Sequence, residues 1–261
     1  MPETWSNGTA YESYVGRWSQ PVAQEFLAWI AIPSHARWLD VGCGTGALTR
    51  AILADYHPSR VVGVDPSADY VSFAQAQLAD PRVQVLNGDA THLLVRDEEC
   101  NVTVSGLVLN FIPQPELALA EMARVTQTQG TVAAYVWDYS GQMQLMRYFW
   151  NAVVALHPED RSQDEGQRFP LCQPDRLSAL WQQAGLRDVA TRAIDVPTVF
   201  RDFDDYWTPF LSGQGPAPGY CMALSDEARR DLREHVRATL PTNSDGSISL
   251  KARAWAVQGR K

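Results

Sequence analysis

The stretch Trp38-Leu39-Asp40-Val41-Gly42-Cys43-Gly44-Thr45-Gly46 decides the fold. An apolar run carrying an acid gives way to three glycines at alternate positions and then to a helical pattern. This order describes a buried strand, a tight loop and a helix. Glycines at that turn permit positive φ and a close approach of backbone to ligand. Two similar strand signals follow. Arg60-Val61-Val62-Gly63-Val64 ends in Asp65, at a position suited to a ribose, and Val83-Gln84-Val85-Leu86-Asn87-Gly88 ends in Asp89. Three consecutive strand ends thus deliver an aspartate to one rim of a parallel sheet, where open α/β folds bind ligands. The pattern points to a nucleoside cofactor.

The loop spacing narrows the choice. A dinucleotide site reads G-x-G-x-x-G and places a pyrophosphate at the helix start. Here the spacing is G-x-G-x-G, with Asp40 two residues upstream, an unfavourable neighbour for a phosphate. A ligand with ammonium and sulfonium groups tolerates that acid well. A nicotinamide oxidoreductase is therefore a weak alternative.

With its Asp-Val-Gly-Cys-Gly-Thr-Gly loop at 40–46, the chain resembles the class I S-adenosylmethionine-dependent methyltransferases, in particular the type-11 small-molecule group. The resemblance covers roughly the first half of the chain. It implies that S-adenosyl-L-methionine is the cofactor and S-adenosyl-L-homocysteine the product. Asp40 and the loop Gly42, Cys43, Gly44 and Gly46 would hold the methionine part. Asp65, followed by Pro66, would bridge both ribose hydroxyls, although an acid before Pro66-Ser67 also suits a helix N-cap. Asp89 and the Ala90 N–H would meet the adenine, the alternative being a surface turn after Asn87-Gly88. A carbonyl near Leu107, in a fourth strand read over Asn101–Leu109, would face the ligand amine. The run Arg124-Val125-Thr126-Gln127-Thr128-Gln129-Gly130 keeps only the Arg, Val and last Gly of the family's turn.

Strand and helix signals alternate from Arg37 to Asp138 and give five strands, the fifth over Thr131–Trp137. A helix is expected over Pro115–Val125, and another from Pro174 to Gly185 with Leu177, Leu180, Trp181 and Ala184 on one face. A sixth strand is read over Asp188–Val196. The alternation of Ile248, Leu250, Ala252, Ala254 and Ala256 with polar residues suits an antiparallel last strand. The expected fold class is α/β: a Rossmann-like seven-stranded, mostly parallel sheet with an antiparallel last strand, helices on both faces and helical lid insertions. Residues 1–261 form a single methyltransferase domain in this reading. N-terminal lid helices occupy 1–34 and the cofactor-binding core 35–138. Lid insertions occupy 139–173 and 200–243, and 174–199 with 244–261 complete the core.

Composition bounds the function. The chain has 261 residues, 45% hydrophobic, and a formal net charge of −8, which argues against a nucleic-acid groove. No apolar segment approaches the ~20 residues a membrane helix needs. The first residues, Met1-Pro2-Glu3-Thr4, lack the features of a signal peptide. Cys43, Cys100, Cys172 and Cys221 are scattered without metal-ligand spacing, so no metal is expected. A cytoplasmic protein, monomeric or homodimeric, acting on a small molecule without nucleic-acid or membrane partners is the economical reading.

Methyl transfer from a sulfonium is an in-line displacement, in which positioning and water exclusion supply much of the acceleration. A base is required only where the acceptor loses a proton. Accordingly no catalytic residue is clear; His157 and Tyr139 are the weak candidates, and a solvated or capping role is the plainer account of His157. Arg17, in a Gly-Arg-Trp-Ser segment near Tyr14, offers forked donors to a methionine carboxylate or else makes a surface ion pair. Asn110, Trp137, Tyr139 and Trp207 are the substrate-binding candidates, with Asp138 able to orient a polar acceptor; lid core is the alternative for the aromatics. Asn110-Phe111-Ile112-Pro113 lacks the double proline of enzymes that methylate nucleic-acid amines. The acceptor is therefore a small molecule, its O, N or C atom undetermined. A catalytically inactive methyltransferase-like binding or regulatory protein is the alternative function.

Overall fold

The computed structural model describes residues 16–213 and 215–261; Tyr14 lies outside them. In chain order, helix α1 (Arg17–Ile30) precedes β1 (Arg37–Val41), α2 (Ala47–Asp55), β2 (Arg60–Asp65), α3 (Ala68–Gln77) and β3 (Val83–Asn87). Next come β4 (Cys100–Gly106), α4 (Pro115–Val125), β5 (Thr126–Trp137), α5 (Gln144–Leu156), α6 (Glu165–Arg168) and α7 (Pro174–Gln183). The chain finishes with β6 (Arg187–Phe200), α8 (Phe203–Trp207), α9 (Pro216–Ala223), α10 (Asp226–Thr239) and β7 (Ile248–Arg260).

The seven strands form one sheet in the order β3-β2-β1-β4-β5-β7-β6. The pairs β3–β2, β2–β1, β1–β4 and β4–β5 are parallel. Strand β7 runs against β5: the Gln129 N–H donates to Lys261 O at 3.0 Å near one end and the Asp138 N–H to Arg253 O at 2.9 Å near the other. The strand order reverses between β1 and β4, and a ligand crevice forms at such a point, outside the carboxyl ends of the strands.

Two compact units make up the chain. The first comprises Ser19–Val136, Leu171–Ile194 and Ala254–Lys261. Its strands read as apolar runs because both faces are covered: Trp38, Leu39, Val41, Val61, Val62, Val64, Val102 and Val104 are all buried. Phe26 of α1 packs on Tyr135 of β5 with ring centroids 4.6 Å apart. The Trp181 indole donates to Val132 O at 3.0 Å, so its polar atom is satisfied inside the core. The second unit includes Trp137–Pro170 and Asp195–Arg253 and is built around aromatic rings. Phe149 stacks on Phe210 at 4.5 Å, and the buried Tyr206 donates its hydroxyl to Leu145 O at 2.8 Å.

Several boundaries differ from the sequence reading, each for a local reason. Strand β4 ends at Gly106 rather than Leu109, because Leu107 turns to φ 63 and Leu109–Phe111 forms a 3-10 turn. The expected turn at Gln127–Gly130 is instead a bulge inside β5. Cys100 pairs with Thr126 and Val102 with Thr131, so five residues of β5 span two of β4. Strand β6 runs on to Phe200 because Ile194, Val196, Thr198 and Phe200 alternate inward. The N-cap of α3 is Ser67, which accepts from the Tyr70 N–H, and not Asp65. Helices α4 and α7 occupy the spans expected, the latter followed by Gly185 at φ 77.

Candidate active site

The loop after β1 is held by its own backbone. The N–H groups of Gly42 and Cys43 both donate to Val64 O, at 2.7 and 3.1 Å, and Gly46 N–H donates to Cys43 O at 2.8 Å. Gly42, Gly44 and Gly46 all take positive φ, at 72, 53 and 88°. They need glycine for different reasons. A Cβ on Gly42 would lie 2.5 Å from Val108 Cγ1, whereas one on Gly44 would meet nothing within 4 Å. The loop therefore packs against the segment after β4 at Gly42 and faces open space at Gly44.

Two carboxylates back this loop. Asp65, at the end of β2, accepts from Gly44 N–H through Oδ2 and from Ser67 N–H through Oδ1, both at 2.9 Å. Burial pushes its carboxyl up, while those two amides oppose the shift. Each oxygen keeps lone-pair capacity for a further donor. Asp40, 1% exposed, accepts the Thr49 hydroxyl on Oδ2 at 2.7 Å, and its Oδ1 is buried without a partner among the described residues. Burial lifts this carboxyl to about 7; the Thr49 hydroxyl opposes the shift and the Asp65 charge adds to it. A buried acceptor left open is costly and marks a place where a donor fits.

Asp89 stands on the adjacent strand end. Asn87 is in register with Asp65, and Gly88 N–H donates to Asp65 O at 3.1 Å. The Asp89 side chain is exposed, and its Oδ1 accepts from the Thr91 amide and hydroxyl, both at 2.8 Å. Those bonds hold its carboxyl below the usual range. One oxygen of Asp89 thus closes its own turn, and Oδ2 is free of the Thr91 bonds. Pro66 is exposed and Ala90 half-buried.

The exit of β4 supplies the other wall. Leu107 is a non-glycine residue in the left-handed region, anchored by its N–H to Tyr135 O at 2.7 Å. Such conformations cost about 1 kcal/mol or more and cluster at functional sites. Gly106 lacks a side chain because a Cβ there would lie 2.6 Å from the Tyr135 hydroxyl oxygen. Asn110 follows in the 3-10 turn, and both Nδ2 and Oδ1 are buried with no partner among the described residues. Loop glycines, Asp40, Asp65, Asp89, Ala90, Leu107 and Asn110 all belong to the first unit. Sequence reasoning missed Thr49 and Tyr135. A hydroxyl one helical turn after Gly46 was the available signal for Thr49; nothing local marked Tyr135.

The remaining candidates belong to the second unit. Arg17 donates to Asp205 at 3.2 Å and lies 4.4 and 4.7 Å from the ring centres of Trp18 and Phe200. This is the ion-pair alternative, reinforced by cation–π contact. Trp137 is buried, Tyr139 packs on Phe169 at 5.5 Å, and Trp207 sits among Phe149, Phe203 and Phe210. Asp138 accepts the Gln142 N–H at 2.8 Å. His157 caps the end of α5, with Nδ1 3.7 Å from Glu159 on the following turn.

Known proteins similar to this chain are methyltransferases. A family model described as a methyltransferase domain matches residues 39–134, from β1 to β5. The demethylmenaquinone methyltransferase of Lactiplantibacillus plantarum is 28% identical over 184 residues, covering 64% of this chain and 76% of that protein. The 2-phytyl-1,4-naphtoquinone methyltransferase of Thermosynechococcus vestitus is 31% identical over 181 residues, covering 64% of this chain and 79% of that protein. Among solved structures, phosphoethanolamine N-methyltransferase 2 of Haemonchus contortus superimposes with a TM-score of 0.60 at 15% identity. The match covers 97% of this chain and 57% of that one, and that structure contains S-adenosylhomocysteine.

Proposed function

This chain belongs to the class I S-adenosylmethionine-dependent methyltransferases, and on that premise we propose that it methylates a small ring acceptor bearing a carbonyl or hydroxyl group. The enzyme's cofactor is S-adenosyl-L-methionine, which supplies a methyl group already activated on a sulfonium. The residues present fit it. Asp65 offers an acceptor on each oxygen to the ribose diol, and the unpartnered Oδ1 of Asp40 suits the ammonium donor of the methionine part. The backbone of Gly42, Cys43, Gly44 and Gly46 lies against that part, the open side of Gly44 leaving room for it. The Leu107 main-chain carbonyl would accept from the amine. Asp89 Oδ2 and the Ala90 N–H take the adenine edge, with Pro66 beside the ribose.

One observation carries the acceptor class: the buried amide of Asn110, with both polar atoms unsatisfied among the described residues, two residues after the Val108 that packs on Gly42. An amide offers one donor and one acceptor and suits an acceptor carrying a carbonyl or hydroxyl. Relatives named as quinone methyltransferases support the same class. Trp137, Tyr139 and Trp207 are proposed as acceptor-selecting aromatics. We read 139–173 and 200–243 as insertions of a single methyltransferase domain that serve this selection. The chain's own work is to orient both partners and exclude water; where the acceptor must lose a proton, His157 or Tyr139 is the proposed base. An inactive binding protein has no observation in its favour, since Asp40, Asp65 and the loop glycines all keep their places.

Among the described residues no helix is long and apolar enough to cross a membrane. The four cysteines are buried and form no disulfide among the described residues, which supports a reducing, cytoplasmic setting. A monomer or homodimer without nucleic-acid partners completes the proposal. Incubating the enzyme with labelled cofactor and a panel of quinols, phenols and aliphatic amines tests the acceptor class. Methylated quinol or phenol is the expected product; turnover confined to amines would refute it.

A further inference from the structure

The run 124–130, which keeps only the ends of the family's turn, has a consequence at the end of the strands opposite the glycine loop. There, at the starts of β1, β4 and β5, a cavity of about 310 Å³ opens within the first unit. The β5 bulge forms one wall through Gln127, Gln129 and Gly130, and the segment before β1 forms another through Ser34 and His35. We propose that this cavity binds a small organic acid, its carboxylate on Arg260 and its apolar body against Ile32, Pro33 and Val102.

Three observations carry the assignment. The Arg260 guanidinium donates through Nη1 to Thr131 Oγ1 at 2.7 Å and to Gln129 O at 3.4 Å. It has no carboxylate partner among the described residues. Its remaining N–H groups are the fork that a carboxylate fits. Second, no acid among the described residues lines the cavity, although the chain carries 30 acidic residues against 22 basic ones. Its polar lining is rich in donors: Asn101 spends Oδ1 on the Arg37 N–H and keeps its amino group, and Gln127 and Gln129 contribute amides. Third, two lining residues that are not glycine, His35 at φ 64 and Gln129 at φ 65, adopt the left-handed region. Strain of this kind persists where the surroundings impose it, and it gathers at ligand clamps. The volume lies at the lower end of small-molecule pockets, so the ligand is a compact acid and not a nucleotide.

Amide NMR of the full chain with benzoate tests this, with inorganic phosphate and chloride at matched ionic strength as ionic controls. The expected result is saturable shifts at residues 34–36 and 127–131, with the benzoate Kd raised at least tenfold in Arg260→Gln. Unchanged S-adenosylhomocysteine affinity in that variant reports an intact fold. Arg260→Lys keeps the charge but loses the fork, and is expected to weaken benzoate severalfold. Shifts reproduced by chloride or phosphate, no saturation, or unchanged benzoate binding in either folded variant would overturn the proposal.

Discussion

The Gly44 N–H donates to Asp65 Oδ2 at 2.9 Å, so the glycine loop after β1 and the acid that ends β2 form one unit. The same carboxylate holds the Ser67 N–H at the start of α3. A side chain proposed for ribose recognition thus also ties two strand–helix turns together.

The loop glycines separate by mechanism. Gly44→Ala places a methyl in open space at φ 53, so the fold should lose only about 1 kcal/mol. S-adenosylhomocysteine affinity should nevertheless fall at least tenfold. Gly42→Ala drives a Cβ to 2.5 Å from Val108 and should destabilise clearly more. Thermal melts beside calorimetric titrations decide it; equal melting losses in the two variants would contradict the geometry.

Asp40 should leave a pH signature. Its carboxyl is raised from 3.8 to about 7 in the folded chain. Between those values the folded state holds a proton that the unfolded state has released, so stability falls as pH rises through this window and levels above it. Asp40→Asn should flatten that dependence in urea unfolding between about pH 4 and 8, a range that spans the shift. A cationic cofactor favours the charged carboxylate, so binding should release a proton near neutral pH. Titrations in buffers of different ionisation enthalpy would reveal it. Identical slopes in wild type and variant would contradict the assignment.

Asn110 should act on turnover rather than on folding. Asn110→Ala removes two buried atoms without partners, so stability should hold or rise slightly. S-adenosylhomocysteine affinity should be unchanged, while kcat/KM for the acceptor drops roughly ten- to a hundredfold, on the order of 1–3 kcal/mol. A matching loss of cofactor affinity would move Asn110 to the cofactor side.

In the aromatic unit, the Trp150 indole N–H donates to the buried Glu165 carboxylate at 2.8 Å. Trp150→Phe removes that donor and should cost about 2–3 kcal/mol. The urea midpoint would report it, and a midpoint equal to wild type would show that other contacts satisfy Glu165.

The parts legible in the sequence were those where one residue type answers one local demand. Alternate glycines, an acid at the end of each of three apolar runs, and Pro115 or Pro174 opening a helix carried the α/β alternation and the helix starts. Misread boundaries had non-local causes. Leu107 leaves β4 where Val108 meets Gly42, and the β5 bulge exists because Gln129 and Gly130 bond to Lys261. Thr49 on Asp40 and Tyr135 over Gly106 are contacts between elements, which no spacing along the chain announces. The aromatic residues were legible as a cluster but not as individual roles, because rings pack in many arrangements of similar energy.

Calorimetric titration with S-adenosylhomocysteine tests the central claim most directly. The two-carboxylate account predicts one-to-one binding to the wild-type chain and its loss in Asp65→Ala. A folded wild-type protein that gives no heat, or an Asp65→Ala variant that binds as tightly as wild type, would contradict it.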